Sequence, residues 1–527
     1  MRRLAIDYIF HFDNVAPFFA GDPQDPSAWA DAFTRVRALQ RPRAEIAAVM
    51  AEQQARRQAA APARAAAAML ADAATVAVVT GQQAGLFGGP LYTLLKAGTA
   101  IRLAARVSRE HGTVVVPVFW IDAEDHDWDE IASCGVLDGN QAWREIRVAP
   151  PEGAGDRPVA ALTYTAEIDA AIAALEQALP QTEFTRELTE TLRRDYTSGR
   201  SVPDAFGRWL ERLLGPLGLV VFDASDPAAK PFAASLFRAE IENAGRTTRL
   251  AIEAGARLAE RGYHAQVTPS ESSVALFALD TVRRPIKVTG DNLTMGDEVV
   301  SRAALAERAS AEPQAFSPNV LLRPLMQDTI FPTVCYIAGP NELAYHAQLR
   351  SVYESFGLPM PLIHPRATAT ILDSAAIRFL KRYQVPFEDL EPRDERALNA
   401  LLVAQLPPAV EQSVQEAEAE IAAHFDAVIR AVPAIDPTLE GAARSTLGKI
   451  QHDMQALRGK ILQAAKRRDE TLRRQFTSVR TQAFPDGAPQ ERQVGFVVFL
   501  NKYGPALVER LASELPLESG MHWILTV

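Results

Sequence analysis

The sequence predicts an α/β protein: a parallel β-sheet core carrying inserted elements, then an α-helical antiparallel coiled coil, then a short return to the core. Three observations predict it. The apolar run TVAVVT (residues 75–80) opens into GQQAGLFGGPLY, helical spacing follows from 93 to about 108, and TVVVPVFWID (113–122) ends in AEDHDWDE. Strand, glycine-rich turn, helix and strand at this spacing make a βαβ unit. Further short apolar runs, GLVVFD (218–223) and residues 333–338, read as additional core strands. Between 407 and 481 apolar residues recur at alternating steps of three and four, a heptad pattern.

In chain order, residues 25–72 are alanine- and arginine-rich. Trp29, Phe33, Val36 and Leu39 are apolar positions at helical spacing, so one or two long helices are expected. Pro150, Pro151, Gly153, Gly155 and Pro158 mark a loop after the βαβ unit. Helical patterns at 166–179, 184–196 and 202–214 form an insertion ahead of the strand 218–223. Residues 231–260 are helical again, and 265–300 read as a small antiparallel piece. After the strand 333–338 a glycine turn leads into a helix near Asn341. Pro359, Pro361 and Pro365 make 359–372 an extended segment with exposed or edge positions.

The heptad positions are Val410, Val414, Ala417, Ile421, Phe425, Val428 and Val432, then Leu439, Ala443, Leu447, Ile450, Met454, Leu457 and Ile461. Pro433 and Pro437 divide them into two helices, about 407–432 and 438–481. The second would be about 60 Å long. Residues 489–511 read as two helices, and HWILTV (522–527) as a last strand. The expected domains are a core over 1–400 with insertions near 150–215 and 226–315, a coiled coil over 401–482, and a returning segment over 483–527.

At 527 residues the chain exceeds one core. A net charge of −10 argues against a nucleic-acid or anionic-membrane surface. No apolar run reaches the length of a membrane span. Asp7, His11 and Asp13 interrupt the N-terminal apolar stretch, so no signal peptide is expected. Cys134 and Cys335 form no motif and read as buried free thiols in a cytoplasmic protein.

Open parallel sheets bind ligands beyond the carboxyl ends of their strands. The first candidate there is the loop with Gly81, Gly85, Gly88 and Gly89, whose N–H groups would form a nest for a phosphate or carboxylate. Thr80, Pro90 and Tyr92 flank it. Gln82 and Gln83 would hydrogen-bond a polar ligand, and Lys96 would supply a cation. The loop is neither a dinucleotide fingerprint nor a P-loop, and its plain alternative is a structural turn.

The second candidate is the acidic loop, in which Glu124, Asp125, Asp127, Asp129 and Glu130 surround His126. Such crowding raises pKa values and suits Mg²⁺, a substrate amine or acid–base work. Asp125, His126 and Asp127 are the candidate catalytic residues. Zinc lacks a second nearby His or Cys ligand, and the plain alternative is a solvated acidic loop. The third candidate joins Arg323 and Gln327, one helical turn apart, to Tyr336, Gly339, Glu342, Tyr345 and His346. There Asn341 would be a cap, and a packed helix is the alternative. Arg366, Asn501, Lys502 and Tyr503 complete the candidates, their alternative being ordinary exposed polar residues.

TGQQAGLFGGPLYTLLKA, VPVFWIDAEDHDWDEI, SPNVLLRPLMQDTIFPTVCYIAGPNELAYHAQL and QERQVGFVVFLNKYG together resemble the bacillithiol biosynthesis cysteine-adding enzyme family, the cysteine ligases. The strings extend over nearly the whole chain. The resemblance implies a Rossmann-like core of the nucleotidylyltransferase and class I synthetase type, with connecting-peptide insertions and a coiled coil used for homodimerisation. It implies that cysteine is joined to glucosaminyl-malate as an amide, with ATP or ADP as nucleotide and Mg²⁺ as a candidate ion. No HIGH-type or KMSK-type string is present. Residues 81–90 occupy the place of the HIGH element, so role is inferred there by place. The other readings are a different nucleotidylyl transferase or ligase on this fold, or a non-catalytic dimeric scaffold.

Overall fold

The computed structural model describes residues 3–527 other than 281, 392, 393, 406, 407 and 469. The chain forms two compact units, Met1–Thr370 with Glu491–Trp523, and Ile371–Gln490 with Ile524–Val527.

The first unit is built on five parallel strands: β1 (Val76–Gln83), β2 (Val115–Asp122), β3 (Val220–Asp223), β4 (Thr333–Ala338) and β5 (Leu362–Pro365). Their order is β5-β4-β1-β2-β3, and every neighbouring pair is parallel. The chain therefore runs from β1 outward to β3, then crosses to the other side of β1. The crevice at that reversal, between the carboxyl ends of β1 and β4, is where such sheets take ligands.

A strand covered on both faces must be apolar throughout, and residues 76–79 are fully buried. Alternate residues serve opposite faces. Val76 and Val78 pack with Leu103, Ala104 and Val107 of the helix Leu91–His111, while Ala77 and Val79 join Trp120, Phe222 and Tyr336 on the other face. That helix overruns its predicted ends at 93 and 108. It starts directly after Pro90 and stops at Gly112, which takes a left-handed conformation.

Residues 25–72 form three helices, Pro26–Ala38, Arg43–Arg57 and Ala61–Met69, where one or two were expected. Pro42 sits immediately before the second and a proline opens the third, and Gln58 turns left-handed between them. A hairpin, Ser133–Leu137 with Trp143–Arg147, was not anticipated. Its signal was Asp138-Gly139 between two short runs, and the Asp138 carboxylate accepts the N–H groups of Asn140 and Ala142 across the turn.

The expected helical insertion is present as Glu167–Ala178, Thr185–Asp195 and Val202–Leu214. The antiparallel piece is a five-stranded sheet that also recruits Phe316–Pro318. β5 is an edge strand as its prolines suggest, yet Leu362 and Ile363 are buried rather than exposed.

The second unit begins at Ile371, whereas the sequence reading put its start at 401. The helix Ser374–Tyr383 belongs to it because Phe379 packs edge-on against Phe476, within a cluster that includes Leu390, Leu402 and Val479. The stalk helices are Pro408–Ala431 and Leu439–Arg468, followed by Glu470–Ala483. The predicted start at Pro407 lies outside the described residues. Val428, Ile435, Leu439 and Leu457 are exposed, so the unit does not cover its own apolar stripe.

Candidate active site

A cavity of about 400 Å³ opens at the carboxyl ends of β1, β2 and β4. Its walls carry five cationic side chains, Lys96, Arg283, Arg323, Arg366 and Arg492, and five acids, Asp122, Glu124, Asp125, Glu130 and Glu342. Gln82, Gln83, Tyr92, Tyr336, Gly339 and Tyr345 complete the predicted residues that line it, with Gly81.

Lys96 ties the two sides of the crevice together. Its buried ammonium lies 2.6 Å from Glu342 and donates to the Gly81 carbonyl (2.8 Å) and to Gln82 Oε1 (3.0 Å). Glu342 reaches back to accept the Gly339 N–H and the Tyr336 hydroxyl, both at 2.7 Å. Burial alone would raise the Glu342 pKa. Lys96 and these hydrogen bonds outweigh it and hold the carboxylate below its ordinary range.

Arg323 donates to Gln327 (3.3 Å) and the Tyr345 hydroxyl (3.1 Å), and stands 3.8 Å from Asp122. Arg366 grips Glu491 with both terminal nitrogens, at 3.0 and 2.6 Å, over the Tyr92 ring. Burial pushes the Tyr92 phenol up to about 12. His346 stacks on Tyr336 and Tyr345, and burial lowers it to about 4, so it is neutral at pH 7.

The acidic loop divides its roles. Glu124 is buried against the Lys230 ammonium, which also donates to the Phe316 carbonyl. Asp125 accepts from Arg283 at 3.1 Å, and Arg283 lies 3.7 Å over the Phe277 ring. Asp122 is raised by burial, against the pull of Arg323, and Asp125 raises it further. Glu130 is raised by burial, with Asp127 and Asp125 adding to it. His126 is half exposed beside Asp125, and Asp127 caps the short helix Trp128–Ile131 by accepting the Glu130 N–H. Asp129 pairs with Arg147. Neither His126 nor Asp127, both read from the sequence as catalytic candidates, lines the cavity.

The glycine-rich loop spends its N–H groups on its own turn. Gly81 lies inside β1, where a Cβ would come 2.8 Å from the Trp120 carbonyl oxygen. The N–H groups of Gly85, Gly88, Gly89 and Leu91 already bond the carbonyls of Gln83, Gly85, Leu86 and Val494. They offer no nest to an anion. Gly88 is required for packing: its φ is +97° and a Cβ would meet the Phe496 ring at 2.1 Å. Gly85, Gly89 and Pro90 line an adjoining chamber instead.

Thr80 is buried and bonds the Ile337 carbonyl, and Gln327 supports Arg323 from behind. Asn501, Lys502 and Tyr503 sit on the helix Phe496–Tyr503 and do not line the cavity; Asn501 donates to the Pro180 carbonyl. Sequence reasoning missed Lys230, Arg283, Glu491 and Arg492. Glu491 and Arg492 stood within a quoted string, QERQ, but an adjacent acid and base carry no signal until tertiary contacts part them. Among the described residues no three His, Cys, Asp or Glu side chains are placed to hold a metal ion.

Residues 1–367 match the family model described as "Bacillithiol biosynthesis BshC, N-terminal Rossmann-like domain", and residues 369–527 match "Bacillithiol biosynthesis BshC, C-terminal coiled-coil domain". Three similar proteins are each named "Putative cysteine ligase BshC". That of Salinibacter ruber is 36% identical over 530 residues, covering 99% of this chain and 96% of its own. That of Koribacter versatilis is 35% identical over 437 residues, covering 82% and 81%. That of Solibacter usitatus is 30% identical over 526 residues, covering 100% and 97%.

Proposed function

The chain belongs to the bacillithiol biosynthesis BshC family, and on that premise we propose that it is a cysteine ligase joining the cysteine carboxyl to the amine of glucosaminyl-malate. The observation that carries this reading is the cavity itself, where acids and cations alternate around one crevice. Both substrates carry carboxylates and amines, and such a lining meets both signs of charge.

Amide formation from a free carboxylate is uphill in water, so one carboxyl oxygen must first be made a leaving group. ATP is the proposed co-substrate, with the departing oxygen leaving on phosphorus. The lining guanidiniums of Arg283 and Arg323 suit phosphates, while the glycine turn does not. Mg²⁺ would enter on the nucleotide phosphates rather than in a protein cage. The attacking amine must lose a proton, and Asp122 with Asp125 is the proposed acceptor. Two neighbouring carboxylates resist joint ionisation, which makes one of them a better base.

Mass spectrometry of a mixture of protein, cysteine, glucosaminyl-malate, ATP and Mg²⁺ tests the proposal, with a parallel reaction lacking ATP. The amide is expected only in the first. Undiminished product without nucleotide would remove the activation scheme, and no product in either would remove the ligase reading.

The working form is proposed to be a cytoplasmic homodimer joined through the stalk. Among the described residues no helix is long and apolar enough to cross a membrane. Exposed Val428 and Leu457 on the heptad stripe support the dimer, since burying one such side chain contributes about 1.5–3 kcal/mol. Sedimentation at micromolar protein is expected to give a dimer, and Leu457→Asp with Ile461→Asp a monomer. A monomeric wild type would refute the stalk interface.

A further inference from the structure

The main cavity continues into a second chamber of about 240 Å³. Gln82, Gln83, Tyr92, Glu130 and Arg492 line both, so they form the mouth between them. The two spaces differ in character. The smaller one has short or apolar walls at Ile131, Cys134 and Gly135, beside polar ones at Ser133, Glu145 and Gln493. Thr93, also in its wall, is fully buried, and its hydroxyl has no hydrogen-bond partner among the described residues. Such a group usually finds one when a ligand or water is in place.

The cations of the main cavity are not equally available. Lys96 spends its donors on Glu342, Gly81 and Gln82. Arg323 is held by Gln327 and Tyr345, and Arg366 by Glu491. A ligand carboxylate would have to displace a partner of Lys96, whose three donors are all taken, and on Arg323 or Arg366 would share a guanidinium that protein groups already hold. Arg492 is exposed, and no hydrogen bond or ion pair engages it among the described residues. Its backbone is held at the mouth by the residue before it. Its neighbour Glu491 is buried, clamps Arg366 and accepts the Ala369 N–H at 3.3 Å. The Tyr92 phenol feels Glu130 in one sense and Arg492 in the other, which puts both charges around one hydroxyl.

We propose that the second chamber is the cysteine subsite, with the cysteine carboxylate on Arg492 at the shared mouth, the ammonium on Glu130, and the thiol side chain toward Ile131 and Cys134. This rests on the ligase reading. It follows from the chemistry of the bond to be made. The carboxyl carbon has to face the main cavity, where the amine arrives, while the side chain needs a short pocket behind it. A zwitterion needs one charge of each sign at one opening, and Glu130 and Arg492 supply them. The main cavity is left to the larger amino sugar and the nucleotide.

The test is steady-state kinetics of Arg492→Gln with each substrate varied in turn. The cysteine KM is expected to rise about ten- to a hundredfold, the range of one charge-assisted hydrogen bond. The glucosaminyl-malate KM is expected to stay within about twofold, and the melting temperature to be unchanged because Arg492 is exposed. Cysteamine, which lacks the carboxylate, is the control inhibitor: its inhibition constant should be the same in both proteins. A shift in the amino-sugar KM instead, or equal weakening of cysteamine and cysteine, would overturn the subsite while leaving the ligase reading intact. Should the wild type form no amide, the ligase reading fails, and calorimetric binding of cysteine to wild type and Arg492→Gln still decides the subsite.

Discussion

Asp122→Asn is expected to lower kcat by about 10²–10⁴-fold, the usual worth of a positioned general base, with little change in the KM for cysteine. Asp122 ends β2 and lines the cavity, where burial and the nearby Asp125 both lift its pKa while Arg323 opposes them. A carboxylate lifted in this way holds a proton more tightly than a free one and is the stronger acceptor. Asparagine keeps the shape and removes the basicity. In the wild type kcat/KM should fall as pH drops through the raised pKa, because only the ionised form accepts a proton. In the variant that acid limb should vanish. His126→Ala serves as the comparison and should stay within about threefold, since exposed groups away from the reacting atoms contribute little. A loss of less than threefold in Asp122→Asn would move the proton to Asp125.

Lys96→Met is expected to cost about 3–5 kcal/mol of stability at neutral pH and to remove activity, because it strands a buried carboxylate. Methionine fills much of the space of the lysine stem, so the loss reports the charge and not a cavity. Glu342 keeps the Gly339 N–H and the Tyr336 hydroxyl but loses the ammonium at 2.6 Å, while the Gly81 carbonyl and Gln82 Oε1 lose their donor. The pH dependence follows from the sign of the shift. In the wild type Glu342 is depressed, so its contribution is present above the unfolded pKa and is lost as pH falls through the folded one. Without Lys96 burial prevails and the folded pKa rises, so Glu342 binds a proton on folding. The difference between variant and wild type should therefore be largest at neutral pH and shrink in acid. Urea unfolding at pH 7.5 and pH 5 measures it, and an equal difference at both would show that Glu342 is not the group responsible.

The fold was legible where one strand or helix carries its own pattern. The β-branched runs of β1, β2 and β4 announce buried parallel strands, and the stalk repeats its heptads over enough turns to be unmistakable. The hairpin after the acidic loop was lost because its strands are five residues each and Trp143–Arg147 is mostly charged. The site was legible only in part. Gln82, Lys96, Asp125, Arg323, Glu342 and Arg366 converge as their strings suggested. The glycine loop misled because glycines that bind anions and glycines that make room for Phe496 look alike in a sequence. His126 is conspicuous in the sequence as a histidine among acids, whichever way it points, and in the structure it stands half exposed beside Asp125, outside the cavity lining. Glu491 and Arg492 show the opposite failure: two unremarkable neighbours, one turned inward to Arg366 and the other left free at the cavity mouth.

The long span of the ion pairs that close the cavity has a consequence for how the protein is made. Glu342 follows Lys96 by about 250 residues, and Glu491 lies 125 residues beyond Arg366. At a synthesis rate of roughly 5–20 residues per second, Lys96 waits on the order of 10–50 seconds for its carboxylate. Until then its ammonium has only the Gly81 carbonyl and Gln82 Oε1 as acceptors, and burying it against no charge is costly. The β1 side of the sheet is thus expected to gain its full complement of contacts late, although its own strand and helix are local. Contacts this distant in sequence are slow to close in any case. The ion pairs that line the cavity are therefore expected to be among the last contacts the new chain can make.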